Sequence, residues 1–123
     1  MSRVLIIDDE PALREILREY VEREGHEVIE AGTIHDARLC LKQSRVDLIF
    51  LDLVLPDESG LPFCQELKIE PMTSAIPVII LTSLDTSDDL RHALGSGAEL
   101  FAAKPVNKDR IHFFLSELLG KGA

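Results

Sequence analysis

Cysteine is scarce, basic residues are outnumbered, and no apolar run is long. The two cysteines, Cys40 and Cys64, lie far apart and outside any CxxC spacing, so a structural zinc site is not in prospect. Both fall in segments with helical periodicity and read as small buried or half-buried thiols. Thirteen basic residues face 22 acidic ones, a formal net charge of −9. That balance argues against electrostatic binding to nucleic acid, which needs Lys and Arg to displace counterions from phosphates. The apolar stretch Val4-Leu5-Ile6-Ile7 ends in acids and is too short for a signal peptide, and nothing approaches the ~20 apolar residues of a membrane span. A cytoplasmic location is the expectation. There is no internal repeat and no low-complexity tract.

What is present is the material of one α/β domain. The 123 residues are 46% apolar, enough to bury a core. Short aliphatic runs alternate with longer segments of helical period. The first strand is Val4-Leu5-Ile6-Ile7, followed by a helix with Pro11 in its first turn and Leu13, Ile16, Leu17, Tyr20 and Val21 on its inner face, closed by Gly25. Val28-Ile29-Glu30-Ala31 is the second strand, and Thr33 is the expected N-cap of a helix burying Ile34, Ala37, Cys40 and Leu41. Asp47-Leu48-Ile49-Phe50-Leu51 is the third strand; Pro56 to Gly60 form a loop, and a helix spans about 61–70. Pro77-Val78-Ile79-Ile80-Leu81 is the fourth strand, a fourth helix is expected over 87–94, and Leu100-Phe101-Ala102-Ala103 is the fifth strand. A last helix carries Ile111, Phe114, Leu115, Leu118 and Leu119. Strands apolar on both faces belong in a parallel sheet covered by helices on each side. The expected fold is therefore a doubly wound five-stranded parallel sheet, (βα)5, in strand order 2-1-3-4-5. Residues 1–120 make the domain, and 121–123 read as a tail or the start of a linker.

In such a sheet ligands bind beyond the carboxyl ends of the strands. Those ends carry Asp8 and Asp9, Asp52, Thr82 and Lys104. Taken singly, each has an ordinary explanation: a strand-end Asp is usually a turn or cap residue, Thr82 a capping hydroxyl, Lys104 a solvated charge. Together, at four strand ends, they make a site. Three carboxylates resist joint ionisation unless a cation sits among them, and hard oxygen donors favour Mg²⁺. Lys104 and Thr82 add a positive charge and a hydroxyl donor, which suits a phosphoryl group, and a central aspartate is a suitable acceptor for one.

The motifs Val4-Leu5-Ile6-Ile7-Asp8-Asp9-Glu10, Asp47-Leu48-Ile49-Phe50-Leu51-Asp52-Leu53-Val54-Leu55-Pro56-Asp57 with Gly60, Pro77-Val78-Ile79-Ile80-Leu81-Thr82, and Lys104-Pro105 resemble those of the receiver domain of two-component response regulators. The resemblance covers essentially the whole chain and implies a flavodoxin/CheY-like three-layer sandwich. It implies that Asp52 is the phosphoacceptor, supplied by a sensor histidine kinase or phosphotransfer protein. Asp9, Asp52 and the Val54 backbone carbonyl would ligate Mg²⁺, with Asp8 acting mainly through water. Lys104 would pair with the acceptor and then with a phosphate oxygen, and its bond to Pro105 is commonly cis in the family. Thr82 would bond the phosphoryl oxygen, and Phe101 would turn inward as Thr82 moves. The chain would then be a signalling switch that catalyses only its own phosphorylation and dephosphorylation. Its output would pass through the face of the fourth helix, fifth strand and fifth helix, with Arg91, Phe101 and Lys108, to a downstream protein, an effector domain or a second copy.

Val54 and Leu84, two residues after Asp52 and Thr82, are apolar, so neither side chain can orient an attacking water; slow spontaneous dephosphorylation is expected. His26, His35, His92 and His112 read as solvated, and Asp85, Asp88 and Asp89 as a solvated helix start. Three other functions compete. A Mg²⁺-dependent phosphohydrolase lacks an acid at Val54 and a cap domain. A flavin-binding protein of the same topology would find its phosphate repelled by Asp8-Asp9-Glu10. An interaction module that is never phosphorylated would leave the acceptor set without a purpose.

Overall fold

The computed structural model describes residues 2–83, 91 and 95–120. Its elements run β1 (Arg3–Ile7), α1 (Pro11–Arg23), β2 (Glu27–Ala31), α2 (Ile34–Gln43), β3 (Leu48–Leu51), α3 (Gly60–Ile69), β4 (Val78–Thr82), β5 (Leu100–Ala103) and a C-terminal helix (Lys108–Leu119). Of the expected fourth helix, Arg91 is helical and exposed. The rest of 87–94, with Leu84, Asp85, Asp88, Asp89 and His92, and the tail 121–123 lie outside the described residues. The strands form one parallel sheet in the order β2-β1-β3-β4-β5, as the aliphatic runs require. No helix among the described residues is long and apolar enough to cross a membrane.

Alternation along the strands splits the core in two. Leu5, Ile7, Ile49, Leu51, Val78 and Ile80 pack with Ile34 and Ala37 of α2 and Phe63, Cys64 and Leu67 of α3. Val4, Ile6, Leu48, Phe50, Ile79 and Leu81 pack with Leu17 and Val21 of α1 and Ile111, Phe114 and Leu115 of the C-terminal helix. Phe50 and Phe63 are each 1% exposed, and burying a side chain of that kind contributes about 1.5–3 kcal/mol.

The helix ends follow local chemistry. Pro11 opens α1, and Gly25 follows its end at φ +89°, a left-handed conformation that glycine adopts freely. Thr33 caps α2 by accepting the Asp36 N–H at 3.0 Å, and Asn107 caps the C-terminal helix by accepting from Arg110 at 2.9 Å. One inner-face expectation fails: Ile16 is 43% exposed. It precedes buried Leu17 by one residue, a rotation of about 100° round the helix, which carries it off the stripe made by Leu17 and Val21.

Candidate functional site

Strand register brings the site together. Ile7 pairs with Leu51 across β1 and β3, so the next residues, Asp8 and Asp52, emerge side by side. The ladders extend past the strands: the Asp8 N–H donates to the Ala31 carbonyl and the Asp52 N–H to the Ile7 carbonyl, each at 3.0 Å. On the other side Thr82 pairs with Ala103, and the Lys104 N–H donates to the Thr82 carbonyl at 3.0 Å. The Lys104–Pro105 bond is cis. Ile80 pairs with Phe101, so Thr82, two residues beyond Ile80, shares a sheet face with Phe101. Thr82 is fully buried, and Phe101 is half-buried against the core shared with α2 and α3.

Carboxylate oxygens of Asp8, Asp9 and Asp52 lie within 4.8 Å of one another. Asp8 and Asp52 are 2% and 5% exposed, whereas Asp9 faces solvent. The Lys104 ammonium sits 2.8 Å from Asp8 and 2.9 Å from Asp52, with Glu10 at 3.5 Å. Burial pushes the Asp8 carboxyl up, and the Asp52 charge adds to this; hydrogen bonds from Lys104 and the Glu10 N–H pull the other way without cancelling it. Burial alone would lower Lys104, but the two carboxylates prevail and hold the ammonium above its usual range.

Negative charge is therefore in excess, with one ammonium set against the three clustered aspartates and Glu10. The donors are all oxygen and one is open to solvent, a set that fits a small hard divalent cation keeping part of its water shell. The acid loop is braced from behind, where Arg14 donates to the Asp8 carbonyl and pairs with Glu30 at 2.9 Å. Asp8 does not cap α1 through its end: its Oδ1 accepts the Glu10 N–H at 2.9 Å, and Glu10 is the N-cap. The loop after β3 folds back on itself, as the Val54 N–H donates to Asp52 Oδ1 at 3.2 Å and Val54 bridges Ser59. Gly60 packs on the backbone beneath, where a Cβ would come within 2.4 Å of the Asp52 carbonyl oxygen.

All four expected strand ends thus converge: Asp8, Asp9, Asp52 and Lys104 share one cluster, with Thr82 buried beside the β5 end. Val54 is 56% exposed at the rim. Sequence reasoning passed over Arg14 and gave Glu10 only a place in the acidic run, although each has a partner on another element. It also gave Asp57 only a loop role, although its carboxylate binds the N-terminus of α2. His112 is not simply solvated, since its Nδ1 lies 2.7 Å from Glu24, and His26 Nδ1 accepts the Ser2 N–H at 3.3 Å. A groove of about 560 Å³ between α2 and α3, floored by Leu41, Phe63 and Leu67, shares no residue with the acid cluster.

Known proteins resemble the chain throughout. The sequence profile described as the response regulator receiver domain matches residues 4–115. The KDP operon transcriptional regulatory protein KdpE of Escherichia coli is 40% identical over 105 residues, covering 85% of this chain and 45% of KdpE. Protein PilH of Pseudomonas aeruginosa is 33% identical over 111 residues, covering 90% of this chain and 92% of PilH. The solved signal receiver domain of a signal transduction histidine kinase from Syntrophus aciditrophicus superposes with a TM-score of 0.90 at 31% identity, covering 97% of this chain and 90% of that one. The chain spans about half the length of KdpE and nearly all of PilH.

Proposed function

The chain belongs to the response regulator receiver domain family, and on that premise we propose that Asp52 accepts a phosphoryl group, in the cytoplasm, from a phosphohistidine on a sensor histidine kinase or phosphotransfer protein. The observation that carries this reading is the Lys104 ammonium held between two buried carboxylates, 2.8 Å from Asp8 and 2.9 Å from Asp52. An Asp52 oxygen attacks phosphorus, the P–N bond of the donor breaks, and the leaving imidazole takes a proton from solvent. Lys104 follows the charge from the Asp52 carboxylate to a phosphoryl oxygen, while the Thr82 hydroxyl donates to another. Asp9, Asp52 and the Val54 carbonyl would hold Mg²⁺, with Asp8 supporting the site, and the ion would supply positive charge against the carboxylate and the phosphoryl oxygens. In the return step water adds to phosphorus and the bond to Asp52 opens, releasing phosphate. The domain turns over nothing but itself and is a switch.

Val54 is apolar and stands at the rim of the pocket, so it shields the phosphoryl group without aligning a water. Spontaneous dephosphorylation is expected to be slow, and a phosphorylated-state lifetime of seconds contradicts that. The output face is the β5 edge of the domain, bordered by Thr82 and Phe101 and carrying exposed Arg91 and the exposed Lys108 of the C-terminal helix. Phosphorylation shifts a pre-existing equilibrium there toward a form that binds a downstream protein, an effector domain or a second copy. Unchanged partner binding after substitution of Arg91, Phe101 and Lys108 would remove that face from the proposal.

Intact-mass spectrometry after incubation with acetyl phosphate and Mg²⁺ tests the reading. A single phosphoryl adduct, absent from Asp52→Asn and absent without Mg²⁺, supports it. No adduct on the unsubstituted chain, when another receiver domain is labelled in parallel, leaves an interaction module that is never phosphorylated.

A further inference from the structure

Asp57 does more than its place at a loop tip requires. Its two carboxylate oxygens accept the N–H groups of Ile34 and His35, each at 3.0 Å. These are the first two residues of α2. The next N–H, of Asp36, goes to the Thr33 side chain, and that of Ala37 to the Thr33 carbonyl, both at 3.0 Å. The N-terminus of α2 is therefore fully satisfied, half by its own Thr33 and half by a residue from the loop after β3. Charge assistance and the helix dipole favour this contact, and the two N–H groups hold the Asp57 carboxyl below its usual range.

The contact joins two parts of the acid pocket. At the base of the loop, the Gly60 N–H donates to the Leu53 carbonyl at 2.9 Å, and Val54 bridges Ser59. This base carries Asp52 and Val54. At the tip, Asp57 grips α2, and Glu58 pairs with Arg38 of the same helix at 2.6 Å. The α2 N-terminus follows directly on β2, whose last residue, Ala31, holds the Asp8 N–H at 3.0 Å. Asp57 thus ties the loop that carries the acceptor to the segment that fixes the Asp8–Asp9 turn.

We propose that Asp57 is a positioning residue for the cation pocket, a latch that sets the spacing between the Asp52–Val54 segment and the Asp8–Asp9 turn through the N-terminus of α2. The inference rests on the phosphoacceptor reading for the identity of the cation and extends it to a residue outside the acid cluster. Supporting partners that orient metal ligands commonly matter for affinity almost as much as the ligands themselves.

Isothermal titration of the metal-free chain with Mg²⁺ alone tests the latch. Asp57→Ala is expected to raise the Mg²⁺ Kd about tenfold. Two controls remove simpler causes. Thr33→Ala deletes the other half of the same cap, and Asp36→Asn deletes a nearby negative charge from the same helix turn. Each is expected to change the Kd by no more than about twofold, since neither touches the loop, while Thr33→Ala still lowers the Tm by several degrees. Asp57→Asn, which keeps one acceptor oxygen, is expected to fall between the wild type and Asp57→Ala, and it serves if the alanine variant does not fold. Equal effects of the Asp57 variants and either control would overturn the latch and leave Asp57 a cap alone. A wild-type chain that binds no Mg²⁺ would overturn the phosphoacceptor reading itself, a result distinguishable from failure of the latch.

Discussion

Substituting Gly60 with alanine tests how tightly Asp52 is seated. The added Cβ would lie 2.4 Å from the Asp52 carbonyl oxygen, 2.9 Å from the Leu53 Cα and 3.2 Å from the Asp52 carbonyl carbon. All three are backbone atoms at the end of a buried strand, and none can rotate away. The nearest would have to retreat by about 1 Å to reach ordinary van der Waals separation. Overpacking of this kind costs about 1–3 kcal/mol. Against it stands the better helix propensity of alanine, at most about 1 kcal/mol and less at the first position of α3. The clash wins, with a net loss of about 1–2 kcal/mol and a fall in Tm of roughly 5–10 °C. Thermal unfolding followed by far-ultraviolet circular dichroism in EDTA reads the change. Gly95→Ala is the control, because a Cβ there meets open space; it should be neutral or stabilising by up to about 1 kcal/mol. A Gly60→Ala chain as stable as the wild type would refute the claim that this glycine is needed for close approach to Asp52.

Other consequences follow from the charges. Because burial raises the Asp8 carboxyl above its ordinary 3.8, the folded chain keeps a proton that the unfolded chain has released. Metal-free stability should therefore fall as pH rises from 3.8 through the folded pKa, and Asp8→Asn should flatten that slope in denaturant titrations. Lys104→Ala leaves two carboxylates, 2% and 5% exposed, without their ammonium. It should destabilise the chain in EDTA by about 3 kcal/mol, and less in Mg²⁺; an equal loss in both conditions would contradict the shared-charge picture. Mg²⁺ at a hundredfold excess over its Kd should stabilise the wild type by about 2.7 kcal/mol, with a much smaller rise in Tm for Asp52→Asn.

The sheet and its chemistry were legible because β1, β3 and β4 are aliphatic on both faces and, with β5, end in or are followed by a polar residue of the right type. Asp8, Asp52, Thr82 and Lys104 needed only the strand order to be brought together; βα alternation implies a doubly wound sheet, for which 2-1-3-4-5 is one of the common orders and the one found. Thr33 was legible as a cap because its bond to Asp36 is local. The features that escaped are pairings between elements distant in sequence. Arg14 braces the Asp8 carbonyl from α1, Glu10 reaches Lys104 from another loop, and Asp57 finds α2 across 23 residues to Ile34. Nothing in the local pattern marks such partners. Ile16 misled for the opposite reason: its spacing is helical, but a stripe narrow enough to exclude it already fills the core.

The central claim is that Asp52, among the three clustered aspartates, carries the phosphoryl group. Borohydride reduces an acyl phosphate to an alcohol, so a phosphorylated aspartate is trapped as homoserine and can be located by peptide mass spectrometry. After incubation with acetyl phosphate and Mg²⁺, homoserine is expected at position 52 alone. Homoserine at position 8 or 9, or none in a chain whose intact mass shows the adduct, would contradict the assignment.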